Sequence, residues 1–174
     1  MCFECIWNLI ADNSSMIIAI SALVLTVWQA YITRQHNKLT VAPYLTTWSQ
    51  ADDENGFYSI EIMNNGIGPA LIKAFQVFVD GVEIKGPDSE LVDKATKRLF
   101  GGYNYQTANC FLSSGYMMGE KNKHEIFCIK FTGQRKLNYQ EYKQTIERAR
   151  LVIEYESIYK DKFIFDSNKY SLLN

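Results

Sequence analysis

The residues of this chain best suited to chemistry are cations interleaved with aromatics. Lys94, Lys97 and Arg98 precede Phe100, Tyr103 and Tyr105, with Gly101-Gly102 between them. A second group, Lys121, Lys123 and His124, is followed by Gln134, Arg135, Lys136 and Tyr139. Cations hold phosphates and aromatic faces stack on bases, so either group could take a nucleotide or a short single-stranded oligonucleotide. The competing reading is a solvated surface over half-buried tyrosines. The first group is the better candidate, because its Gly-Gly pair follows a basic helix end and gives mobility. The expected ligand residues are therefore Lys94, Lys97, Arg98, Tyr103 and Tyr105, joined by Arg135 and Lys136.

Other chemistries lack their residues. His36 and His124 have no Cys, Asp or Glu at metal-ligand spacing. Asp52-Asp53-Glu54 reads as a solvated turn, without the alternating ligands, Gly and distal Glu of a calcium loop. Ser113-Ser114-Gly115 forms no nucleophile elbow. Cys2 and Cys5 make an isolated CxxC, which reads as apolar filler, and Cys110 and Cys128 lie in apolar strand contexts that predict free buried thiols. Asn64-Asn65-Gly66-Ile67-Gly68-Pro69-Ala70 matches no phosphate-cradling motif; two glycines that permit positive φ and a proline predict a bent connection between strands. No nucleophile stands beside a base. The expectation is a binding protein with no cofactor or metal, and no enzyme.

The elements that must position these residues divide the chain in two. It has 174 residues, a net charge of −1 and 47% hydrophobic residues, which excludes a disordered chain and a generic DNA coater. The charge is unevenly spread. Residues 1–33 carry two acids and no Lys or Arg, whereas residues 34–174 carry all 18 Lys and Arg against 17 acids. Asn13–Thr33 holds no charge at all. Twenty-one residues rising about 1.5 Å each span roughly 31 Å, the thickness of a bilayer's hydrocarbon core. Trp28 and Tyr31 sit near the end of the run, where amphipathic aromatics favour the interface. The alternative is a buried core helix. A cleaved signal is not expected, because Met1–Asp12 has no basic residue and no small-x-small site follows. Arg34 and Lys38, with His36 between them, place the following end in the cytoplasm by the positive-inside rule. The expected layout is an outer or interfacial tail (1–12), a transmembrane helix (13–33), a juxtamembrane link (34–40) and a cytosolic β-rich domain (41–174), in a bacterial inner membrane.

The spanning segment carries a stripe. Ser15, Ala19, Ala22, Thr26, Gln29 and Thr33 recur every three or four residues and collect nearly all its small and polar side chains. Small residues let membrane helices approach closely, and Thr and Gln bond across helices. A single span has no helix of its own to pack against, so the stripe predicts homo-oligomers. These are either a bundle with a narrow polar path or a tight dimer or tetramer with no pore.

Residues 41–174 read as seven or eight strands and two short helices. Strands are expected at Val41–Trp48, as an edge strand or one that starts at Pro43, and at Phe57–Met63 with Tyr58, Ile60 and Ile62 on one face. Others are expected at Leu71–Val79, with Leu71, Phe75, Val77 and Val79 sharing a face, and at Val82–Ile84 after an Asp80-Gly81 hairpin. Tyr105–Leu112, Glu125–Phe131, Leu151–Tyr159 and Phe163–Phe165 complete the set. Helices are expected at Asp88–Leu99 and, from an Asn138/Glu141 capping box, to about Arg148. The fold class is a membrane-anchored β-sandwich or small barrel.

One transmembrane segment, then Thr33–Leu45, then Asn65-Gly-Ile-Gly-Pro-Ala70, resembles a broad group of small bacterial single-pass membrane proteins with a cytosolic β-rich domain. The organisation is also similar to membrane effectors of anti-phage defence, such as the Hailong type. That resemblance implies a cytosolic domain that senses a nucleotide signal made by a nucleotidyltransferase partner. It also implies oligomeric helices that permeabilise or depolarise the membrane. The alternative function is a non-conducting tether that scaffolds a cytosolic partner.

Overall fold

The computed structural model describes residues 13–133 and 137–169. The expectations for the 1–12 tail, its CxxC, and Arg135 and Lys136 fall outside them. The chain forms two compact units, residues 1–40 and 41–174.

The first unit is helix α1 (Ser14–Thr40), 27 residues with none buried. Its apolar side chains are exposed on all sides, from Ile17 and Ile18 to Leu25 and Trp28. The helix does not stop with the uncharged run. Arg34–Thr40, expected as a link, continues it, because no Gly or Pro interrupts before Pro43. Pro43 disfavours helical geometry at Ala42, and the helix ends just ahead of it. Thr40 closes the last turn, its hydroxyl donating to the His36 carbonyl at 2.9 Å.

The second unit packs two antiparallel sheets around one core. The first has the order β1 (Leu45–Asp52), β2 (Phe57–Asn64), β7 (Lys123–Phe131), β5 (Tyr105–Thr107). The second runs β4 (Val82–Glu83), β3 (Ala70–Val79), β8 (Ala149–Glu156), β9 (Lys162–Asp166), with β6 (Met117–Met118) also on β3. Helices α2 (Asp88–Phe100) and α3 (Tyr139–Ile146) fill the connections. Two separate sheets make the domain a sandwich, and β1 is the edge strand expected.

Tyr58, Ile60 and Ile62 are buried together as their alternation demands. On β3 the face differs from the expected one. A register shift between Ile72 and Ala74 puts Ile72, Phe75, Val77 and Val79 in the core and leaves Leu71 half-buried. A bulge adds one residue and so flips the alternation on one side of it. Asp80 and Gly81 both take positive φ (53° and 76°), the tight hairpin geometry the dipeptide signals. The β8 strand ends at Glu156, before the predicted Tyr159, because Ser157–Asp161 forms the turn.

The Asn138/Glu141 capping box forms as expected, but α3 stops at Ile146. β5 is shorter than predicted, although Ala108 and Cys110 still donate backbone bonds to Cys128 and Ile126 on β7. Cys110 is exposed on this edge segment, contrary to the buried thiol expected; Cys128 is half-buried, and burial raises its pKa, with Glu125 adding to the shift.

Candidate functional site

Part of the predicted ligand patch does assemble. Lys97 and Gly101 at the end of α2, Tyr103, Tyr105 and Gln106 beyond it, and Thr132 after β7 line an open groove of about 650 Å³. Its walls are fixed by backbone bonds: Tyr103 N donates to the Phe100 carbonyl at 3.0 Å, and Thr132 N to the Asn104 carbonyl at 3.0 Å. Under the groove lies an aromatic cluster. Phe100, fully buried, meets Phe127, Phe131 and Tyr142 at ring distances of 6.1, 5.7 and 6.1 Å. Tyr103 sits edge-on to Phe131 at 5.8 Å. Tyr58 stacks on Tyr142 at 4.1 Å. The Tyr58 hydroxyl donates to Asp53 at 2.6 Å; burial and that carboxylate together raise its pKa well above the phenolic range. Asp53 of the acidic run is thus engaged in the turn, as is Asp52, which accepts from Asn55 N at 3.1 Å.

The rest of the patch points elsewhere. Lys94 pairs with Glu90 at 2.7 Å and reaches the Lys85 carbonyl. Arg98 does not line the groove; it lies near Asp80, whose carboxyl is held low first by its hydrogen bond to Arg148 and to a smaller degree by the Arg98 charge. Lys94, Lys97 and Arg98 lie within about one turn of α2, and of the three only Lys97 lines the groove. Among the described residues Lys97 is the one cation that lines the groove. The groove sits at the negative end of the α2 dipole, which disfavours a multiply charged anion and which the Lys97 ammonium offsets. Aromatic and amide walls with one cation suit a planar base and a single phosphate.

Two arginines absent from the sequence expectations are also excluded as anion sites. Arg148 forks onto Asp80 with two bonds of 2.7 Å, and Arg150 onto Asp166 at 2.9 and 2.7 Å. Each fork holds its carboxyl below the usual range and occupies the guanidinium. A separate cavity of about 60 Å³ lies in the core between α2 and the sheets, lined by Val77, Val92, Leu99 and Phe127 among others. It is apolar and too small for a nucleotide. His124 tilts against Tyr116 at 5.6 Å.

The Asn64–Ala70 segment is more than a bent connection. Asn64 is completely buried. Its side-chain oxygen accepts from Tyr44 N at 3.1 Å and Gly66 N at 3.0 Å. Its amide donates to the carbonyls of Gly68 at 2.8 Å, Met118 at 3.0 Å and Gly119 at 3.3 Å. Asn65 N adds a bond to the Tyr44 carbonyl at 2.8 Å. Gly66 and Gly68 are needed for space and not for positive φ: a Cβ would strike the Ala42 carbonyl oxygen from Gly66 and the Val41 carbonyl oxygen from Gly68. The motif is a clasp on Val41–Tyr44, the residues directly after α1. The sequence offered only an Asn pair followed by two glycines and a proline, which marks the turn but not the bonds that Asn64 makes.

On α1 the stripe residues Ser15, Ala19, Ala22, Thr26, Gln29 and Thr33 fall on one side, within an arc of about 80° at 100° per residue. The Thr26 hydroxyl is satisfied by the Ala22 carbonyl at 2.7 Å. No known protein-family model matches the chain, and no curated protein matches it.

Proposed function

We propose that this protein is a single-pass membrane effector, anchored by α1, whose cytosolic β-domain takes a nucleotide-type ligand in the Lys97–Tyr105 groove. The observation that carries the reading is α1: a 27-residue helix of mean hydropathy 1.9 in its apolar window, none of it buried by its own domain. A helix apolar all round needs lipid or other helices around it. The stripe supplies the self-association face. A ligand that prefers one packing of the bundle would shift it. The defence role and a nucleotidyltransferase partner rest on the resemblance in organisation.

Two experiments test this. Full-length protein in nanodiscs is titrated with a panel of mononucleotides and short oligodeoxynucleotides. One charge-assisted phosphate bond contributes about 1.5–3 kcal/mol, so Lys97→Ala is expected to weaken binding roughly 10- to 100-fold. Lys94→Ala and Arg98→Ala should stay within about twofold of wild type, since neither lines the groove. Equal losses for all three, or no binding by wild type, would sink the groove assignment. Single cysteines at Ala22 and Thr26 should crosslink in membranes, while Val24, on the opposite side of the helix, should not. A tethered scaffold is the second reading, favoured by Trp48, 57% exposed on the edge strand β1. Loss of membrane potential on expression separates the effector from the scaffold, which leaves it unchanged.

A further inference from the structure

Helix α1 carries its stripe beyond the uncharged run. Because Arg34–Thr40 is helical, His36 and Thr40 fall in step with the stripe residues before them. Ser15, Ala22, Gln29 and His36 form one column at a spacing of seven. Ala19, Thr26, Thr33 and Thr40 form a second column beside it, at the same spacing. A straight helix drifts about 20° per heptad from such a repeat, and two helices keep their columns facing by coiling left-handedly. A heptad pattern sustained over about three to four repeats marks a coiled coil. Ser15–Thr33 is too short for that, whereas Ser15–Thr40 reaches it only because the helix continues.

The residues off the columns fit the same arrangement. None of the bulky apolar side chains of α1, from Met16 and Ile17 to Ile32 and Leu39, falls on either column. The columns therefore let two backbones approach closely, while the bulk faces outward. The two charged residues of α1, Arg34 and Lys38, stand two residues before and after His36, on the far side of the helix from it. Parallel copies that meet along the columns thus bring no Arg or Lys against its own kind. Thr40 and His36 are tied to each other on the last turns: the Thr40 hydroxyl donates to the His36 carbonyl at 2.9 Å and lies 3.4 Å from the ring Nδ1.

We propose that α1 packs against parallel copies of itself along both columns as far as Thr40, so that the seam continues past the apolar run and His36 of one copy meets His36 of the next. The inference rests on the self-associating reading of the stripe and extends it to turns that carry charge. Polar side chains at seam positions fix register. Gln29 and His36 are the longest side chains on the columns, and only in-register copies set amide against amide and imidazole against imidazole.

The test is disulfide formation between single cysteines in the full chain, its four native cysteines replaced by alanine, in phosphatidylcholine–phosphatidylglycerol vesicles. Thr26→Cys probes the apolar run, Thr40→Cys the extension, and Lys38→Cys the outer side of the same turn. Thr26→Cys and Thr40→Cys are expected to crosslink to similar extents, and Lys38→Cys about tenfold less. Adding His36→Lys to the Thr40→Cys chain sets like charges against each other and should cut its crosslinking about tenfold. Adding Gln35→Lys, the same charge off the columns, should change it by less than about twofold. If Thr26→Cys crosslinks but Thr40→Cys does no better than Lys38→Cys, the extension is wrong and the self-association stands. If Thr26→Cys fails to crosslink, the self-associating reading fails and the extension with it. Equal losses from His36→Lys and Gln35→Lys would overturn the meeting of His36 with its copy.

Discussion

Asn64→Leu is expected to destabilise the β-domain by about 3–5 kcal/mol. The loss comes from hydrogen bonds, and the larger Leu side chain adds overpacking at a fully buried position. Two part-buried backbone N–H groups, of Tyr44 and Gly66, lose their acceptor, and the carbonyls of Gly68, Met118 and Gly119 lose a donor. Each buried group left unpaired costs about 1–3 kcal/mol, partly recovered by relaxation. Against a typical total of about 5–15 kcal/mol, that is enough to leave much of the domain unfolded at growth temperature. The neighbouring Asn65 is the control: exposed, with one side-chain bond to Thr46 Oγ1 at 2.7 Å. Asn65→Leu should cost under about 1 kcal/mol. Urea unfolding followed by near-ultraviolet circular dichroism of the buried tyrosines and phenylalanines compares the two. Coincident midpoints would mean the clasp holds little.

The second large effect concerns α1. Its uncharged run holds eight Leu, Ile and Val residues, worth about −2 to −5 kcal/mol of insertion free energy on a biological scale. Leu25→Arg adds roughly 3 kcal/mol near the middle of that run. The balance then falls close to zero, and a large fraction of the chain should fail to insert. Leu25→Ala, which removes only a fraction of a kcal/mol, should insert normally. Fractionation of expressed cells, with carbonate extraction of the membranes, reads the difference. If Leu25→Arg is retained as fully as wild type, α1 is not held by lipid.

Much of this was legible in the sequence because the signals were local. The uncharged run, the alternation in β2, the Asp80-Gly81 hairpin and the Asn138/Glu141 box each sit within a few residues, and each formed. What escaped depends on distant partners. Asn64 finds its acceptors and donors 20 residues back at Tyr44 and 54 ahead at Met118. No spacing in one sequence announces that. The bulge in β3 reversed one face for the same reason, since it answers to the register with β8. The continuation of α1 through Arg34–Thr40 was hidden by the change from apolar to polar residues, although nothing there breaks a helix. The ligand patch divides on a difference that spacing does not show: Lys94, Lys97 and Arg98 lie within about one turn of α2, and only Lys97 reaches the groove. Interleaved basic and aromatic residues show that a cluster is available, but not which members turn the same way.

The central claim is that α1 spans the membrane and keeps the β-domain in the cytosol. Single cysteines at Asn8 and at Asn55, in the full chain with its native cysteines replaced, test it by labelling with a membrane-impermeant thiol reagent. The account predicts that Asn8→Cys reacts in intact cells and that Asn55→Cys reacts only after lysis. Labelling of Asn55→Cys in intact cells, or a chain that fractionates as soluble, would contradict it.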